Sequence, residues 1–358
     1  MKVEEVIVKA IKGKKYYRII RPFLFILSCF FQLGVRCRRK AYKNGFFDSY
    51  SSTIPIISVG NITAGGNGKT PVVDQLLAEL KGDIRLGLIS RGYKAKKKIK
   101  NGSIPVCQGN GPLEEAQEIG DEPFWLSQRH PHIYSWIGNK YKSLKKAEEA
   151  GCALIVLDDG LQSLVLKRDI DIVVMDAQDV WGTGYFLPRG FLRDSPFVLS
   201  EADLVVLNHS VGIDEQKMIN QIRKYTQAPL VFTNFLVKNK LAYKKSALFC
   251  AIGKPEHFYR TVTNLGSTVV HQLIYDDHAC FSLDSLQKFA DESFNLGAEC
   301  LVCTEKDHVK LPKDFHLCLP IVVVEVSLEM HKGKEHWDEM ILCVKRLIKK
   351  RLENGRTL

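Results

Sequence analysis

The segment Gly60-Asn-Ile-Thr-Ala-Gly-Gly-Asn-Gly-Lys-Thr70 carries the residue types that cradle a nucleotide's phosphates. Gly65, Gly66, Asn67 and Gly68 would offer backbone N–H groups to phosphate oxygens, with glycine leaving no Cβ in the way. Lys69 would reach the β- and γ-phosphates, Thr70 would ligate Mg²⁺, and a helix starting there would point its N-terminus at the anion. The strict G-x-x-x-x-G-K-[ST] pattern has Gly at its first position, where this chain has Thr63, so the loop is a variant. A metal also needs a carboxylate at the end of a neighbouring strand, and Leu154-Ile-Val-Leu-Asp158-Asp159-Gly160 supplies two. Together these point to ATP-Mg²⁺ binding and transfer of a phosphoryl group.

The elements that must position these residues alternate between strand and helix. Ile54–Val59 is an apolar strand ending at Gly60, and Pro71–Leu80 reads as a helix with proline in its first turn. Further apolar runs at 84–89, 153–157, 170–175 and 204–207 predict a parallel sheet covered by helices. A second series begins near residue 228, with strands at 230–235, 247–252, 268–273, 300–303 and 321–326 and helices at 255–264 and 283–296. The expected fold is α/β: a P-loop NTPase-like parallel-sheet domain over 46–228, a smaller α/β domain over 229–358, and a membrane-associating helix within 1–45.

With 45% hydrophobic and 25% charged residues the chain is an ordinary globular protein, not a disordered one. Its net charge of +11 calls for an anionic partner without choosing one. The ten cysteines are scattered, several within apolar runs, and predict buried free thiols; Cys300 and Cys303 lack partners at metal-site spacing. Lys9, Lys12, Lys14, Lys15, Arg18 and Arg21 precede the apolar run 22–35, and Arg36, Arg38, Arg39 and Lys40 follow it. That run is shorter than the ~20 residues a spanning helix needs, and it has cations on both sides. An interfacial helix on an anionic membrane surface is one reading, and a core helix with a basic rim is the other. Nucleic acid is not expected as a partner, because the aromatic residues sit among aliphatics rather than between basic residues.

The order of motifs resembles the tetraacyldisaccharide 4′-kinase family, the lipid A 4′-kinases of Gram-negative bacteria. The resemblance rests on Val59 to Pro71, Ser90-Arg-Gly-Tyr93, Gly120-Asp-Glu-Pro123, Asp158-Asp-Gly-Leu-Gln162, Leu187-Pro-Arg-Gly-Phe-Leu-Arg193, Asp277-His278 and Thr304-Glu-Lys-Asp307. It implies transfer of the ATP γ-phosphate to the 4′-hydroxyl of an acylated glucosamine disaccharide 1-phosphate, at the cytoplasmic face of the bacterial inner membrane. It implies Asp121 as catalytic base with His278 as its partner, Lys69 and Arg193 on the transferred phosphate, and Thr70, Asp159 and Asp194 at the metal, beside Asp158. Arg91 and Tyr93 would lie near the acceptor.

Three departures from the family pattern stand out. Leu161 and Ser163 replace a Phe and a His after the acid pair, Asp194 replaces a Glu, and Pro188-Arg-Gly-Phe191 replaces Pro-Ala-Gly-Pro. A membrane-associated ATPase switch acting on a protein partner is the competing class; such loops carry a second lysine where this chain has Ala64, which weighs against it.

Overall fold

The computed structural model describes residue 11 and residues 19–355 except 83, 94, 98, 100, 101, 277, 278, 280, 313 and 314. Along the chain run α1 (Arg21–Lys43), β1 (Ile56–Gly60), α2 (Lys69–Glu79), β2 (Leu86–Ser90), β3 (Ser103–Gln108), α3 (Asp121–Arg129), β4 (Tyr134–Gly138), α4 (Lys140–Glu149), β5 (Leu154–Asp158), β6 (Ile170–Asp176) and β7 (Leu204–Asn208). There follow α5 (Glu215–Ile222), β8 (Leu230–Val237), β9 (Lys245–Cys250), α6 (Pro255–Asn264), β10 (Thr268–Ile274), α7 (Leu283–Asn295), β11 (Cys300–Thr304), β12 (Ile321–Val324), β13 (Val326–Lys332) and α8 (Lys334–Gly355).

These elements form two compact units, and their division is not the linear one expected at residues 45 and 228. The first takes the described residues up to 89 together with 140–234 and those from 329 onward; the second takes 90–139 and 235–328. Ion pairs explain why 90–139 joins the second unit: Arg129 meets Glu305 at 2.8 Å, Lys306 meets Glu122, and Lys310 lies 3.4 Å from Asp121. The C-terminal helix α8, which the sequence reading missed, belongs to the first unit. Its fully buried Trp337 donates an indole N–H to Glu79 at 2.9 Å, and Arg351 pairs with Asp169 at 3.1 Å.

In the first unit the strands lie in the order β8-β7-β6-β1-β5-β2, every adjacent pair parallel. β1 and β5 to β7 are buried on both faces, as the unbroken apolar runs require. β1 sits between β5 and β6, so its carboxyl end opens beside two crossovers, where open parallel sheets bind ligands. Packing against the sheet buries Val72, Val73, Leu76 and Leu77 of α2.

The second unit holds the parallel sheet β10-β9-β11-β12 and the antiparallel pair β3-β4. Period-two alternation sorts its core: Ala247, Phe249, Leu301 and Cys303 pack with α7, while Leu248, Cys250, Cys300 and Val302 pack with α6. Cys300 and Cys303 therefore face opposite sides of the sheet. Burial raises the Cys250 and Cys300 thiols to about 12 and about 11, which leaves them unreactive.

Candidate active site

The phosphate loop forms where the sequence places it, between β1 and α2. Gly68 takes a left-handed conformation (φ 76°) to start the helix, and Gly65 also has positive φ (113°). A Cβ added to Gly65 or Gly66 would meet nothing within 4 Å, so this stretch of backbone is open to an incoming anion. Asn67 is buried and turns inward instead, donating from its amide to the Thr63 hydroxyl at 2.6 Å. Thr63, the departure at the first motif position, thus braces the loop from within.

Beside the loop, Asp159 ends the β5 turn with positive φ (52°). Gly160 follows because a Cβ there would come within 2.5 Å of the Ser58 hydroxyl on β1. Arg193 grips Asp159 with two guanidinium nitrogens, at 2.7 and 3.1 Å, and Lys69 lies 3.5 Å away. Burial alone would raise the Asp159 carboxyl. The Arg193 hydrogen bonds and the charges of Lys69, Arg193 and Lys140 overcome it and hold Asp159 well below the usual carboxylate range. Thr70 and Asp158 are buried nearby in sequence and complete a set of hard oxygen donors. Among the described residues no group of three or more His, Cys, Asp or Glu could hold an ion by itself. Mg²⁺ commonly binds through one or two carboxylates plus phosphate oxygens, and this donor set suits such a shared site.

Asp194, expected among the metal ligands, is 1% exposed and accepts from Arg39 on both carboxylate oxygens, the Nε contact at 2.8 Å. Its neighbour Arg193 also donates to the Asn61 side chain. Arg38 and Arg39, expected to face lipid headgroups, instead hold the chain's own carbonyls at Gln162 and Leu161.

Two loop-supporting residues were missed. Asn208, at the end of β7, is fully buried and donates to the carbonyls of Asn67 (2.6 Å) and Gly68 (3.2 Å). Lys140 reaches the carbonyls of Asp158 and Asp159, bracing the acid turn. Their signals were only a polar residue ending an apolar strand and a lysine opening a helix.

In the second unit Asp121 begins α3 after Gly120 (φ 93°), and it favours the helix dipole as a first-turn acid. Its side chain is 9% exposed and lies 3.4 Å from the Lys310 ammonium. Tyr93 is exposed, and its backbone carbonyl passes 3.1 Å from where a Cβ on Gly120 would stand; Arg91 is exposed beside it. His278 lies outside the described residues.

The family model described as tetraacyldisaccharide-1-P 4′-kinase matches residues 20–344. The chain belongs to that family. It is 33% identical to the tetraacyldisaccharide 4′-kinase of Syntrophotalea carbinolica, covering 87% of this chain and 88% of that one. With the same kinase of Elusimicrobium minutum it shares 36% identity over 89% of this chain and 90% of the relative. The Vibrio cholerae kinase is also 36% identical, covering 82% of this chain and 83% of that one. LpxK of Aquifex aeolicus, solved in complex with ATP, shares the fold with a TM-score of 0.72 at 23% identity, over 92% of this chain and 99% of that one.

Proposed function

We propose that this chain transfers the γ-phosphate of ATP to the 4′-hydroxyl of tetraacyldisaccharide 1-phosphate. The observation that carries the reading is the convergence of Lys69 and Arg193 on Asp159 beside an open glycine loop. Phosphoryl transfer asks a protein mainly for positioning and neutralisation of charge on the phosphate oxygens. Lys69 and Arg193 supply that charge, and Asp159 holds both in place until the polyanion arrives. Thr70, Asp158 and Asp159 would hold Mg²⁺, which when bound adds positive charge across the β- and γ-phosphates. Asp194 we assign to anchoring α1 through Arg39 rather than to the metal. Asp121 takes the proton of the acceptor hydroxyl, with His278 as its partner and Arg91 and Tyr93 near the acceptor. With γ-labelled ATP and the disaccharide 1-phosphate, label should appear in a 4′-phosphorylated lipid. Equal release of inorganic phosphate with and without acceptor would point to the ATPase switch instead.

The membrane part of the reading rests on α1. Phe23, Ile26, Phe30 and Leu33 are more than half exposed, and no helix among the described residues is long and apolar enough to cross a membrane. Such a face suits the interface of an anionic bilayer, and dependence on ATP suits its cytoplasmic side. Replacing Phe23, Phe30 and Phe31 with Ser should weaken partitioning onto anionic vesicles about a hundredfold, at ~1 kcal/mol per ring. Unchanged partitioning with unchanged melting would remove the interfacial role.

A further inference from the structure

The second unit contains a buried charge cluster that phosphate binding does not use. Lys310 is 6% exposed and lies 3.0 Å from Asp307 and 3.4 Å from Asp121, whose side chains are 0% and 9% exposed. Its ammonium also donates to the Ala279 carbonyl at 3.4 Å and stands 5.6 Å from the centre of the Phe281 ring. Asp307 has other donors: the Thr304 hydroxyl at 2.7 Å and the Ala251 N–H at 3.2 Å. Around the cluster, Lys306 pairs with Glu122 and Arg129 with Glu305. Burial raises the Cys250 thiol to about 12 and moves Cys303 the same way, so both remain neutral beside Asp307, while burial lowers His308 on the same turn. His278 lies outside the described residues.

The Lys310 ammonium thus lies between the carboxylate of Asp307, which is fixed by its own donors, and that of Asp121. A buried cation beside a carboxylate favours the charged form that can accept a proton. When the acceptor O–H bond breaks, its proton goes to Asp121 and the oxygen's electron pair forms a bond to the γ-phosphorus. The bond from that phosphorus to the β,γ-bridging oxygen breaks, and its electrons leave with ADP. Asp307 then remains as counterion for the buried Lys310 ammonium.

We propose that Lys310 is a positioning residue that keeps Asp121 ionised and oriented to accept the acceptor's proton, with Asp307 holding Lys310 in place through the reaction. The proposal rests on the reading of Asp121 as the base.

The test is the pH profile of kcat for the wild type and for Lys310→Met, Lys310→Arg, Asp307→Asn and Asp121→Asn. Removing the cation should move the acid limb of kcat upward by a pH unit or more in Lys310→Met, and Lys310→Arg should restore it. Asp307→Asn leaves the lysine to Asp121 alone and should move the limb downward. Loss of packing alone would lower kcat at every pH without moving the limb in opposite directions. An unmoved acid limb in a folded Lys310→Met overturns the proposal. Should that variant not fold, an acid limb unmoved or raised in Asp307→Asn overturns it equally. Wild-type kcat in Asp121→Asn would remove the base reading itself, a result distinct from either.

Discussion

Two buried clusters, one in each unit, are built from the same residue types in opposite proportion. Around Asp159 three cations, Lys69, Arg193 and Lys140, act on one carboxylate and hold it ionised. Around Lys310 two carboxylates, Asp121 and Asp307, share one ammonium. In the first a carboxylate is held by cations, as a site proposed for a phosphate chain requires; in the second a cation is held between carboxylates, as a site proposed for a proton acceptor requires. Both are supported from several elements, because a buried charge must be compensated by fixed neighbours.

The largest expected break comes from Asp121→Asn. Loss of a positioned general base should lower kcat by about 100- to 10,000-fold, as single-turnover phosphoryl transfer would show. A fall below tenfold would leave the second cluster with a structural role only.

A smaller effect tests whether the first cluster depends on the loop's backing. Asn208→Ala removes two hydrogen bonds to the loop carbonyls and the acceptor of the Thr233 hydroxyl on β8. At about 1 kcal/mol for each loop bond, ATP affinity should fall by up to about thirtyfold with kcat much less affected. An unchanged KM for ATP would show that the loop holds its shape without β7.

The smallest effect sharpens the electrostatics. Asp159 is depressed in the folded chain, so its ionisation contributes stability that is present above the unfolded carboxylate value and is lost as pH falls through the folded one. The wild type should therefore lose melting temperature as pH falls from about 5, partly through this group. Asp159→Asn should melt a few degrees lower at neutral pH and show a flatter acid slope. Parallel slopes would mean that Asp159 is not held by its three cations.

Local features were legible in the sequence. The glycines, Lys69 and Thr70 announce the loop by spacing, Asp158 and Asp159 by ending an apolar run, and the alternation in 247–250 by its period of two. The supports were not, because they depend on folding. Asn208 reaches Asn67 across 141 residues, and Arg39 reaches Asp194 across 155. Asp194 illustrates the limit. A carboxylate after Arg193 suits a metal site by type, yet α1 delivers a bidentate arginine to it, and nothing within a short window of sequence announces that partner. The division into units differs from the linear one for the same reason, since ion pairs from α3 to residues 305–310 tie 90–139 to a unit whose other strands lie more than a hundred residues later.

The division of labour between the clusters is tested most directly by titrating ATP-Mg²⁺ into Lys69→Ala and Asp121→Asn by calorimetry, with turnover measured on the same preparations. Lys69→Ala should lose both ATP affinity and turnover. Asp121→Asn should bind ATP within about threefold of wild type, a difference under ~1 kcal/mol, while its turnover collapses. Comparable loss of ATP affinity in the two variants would contradict the account, since one cluster would then not bind phosphate apart from the other.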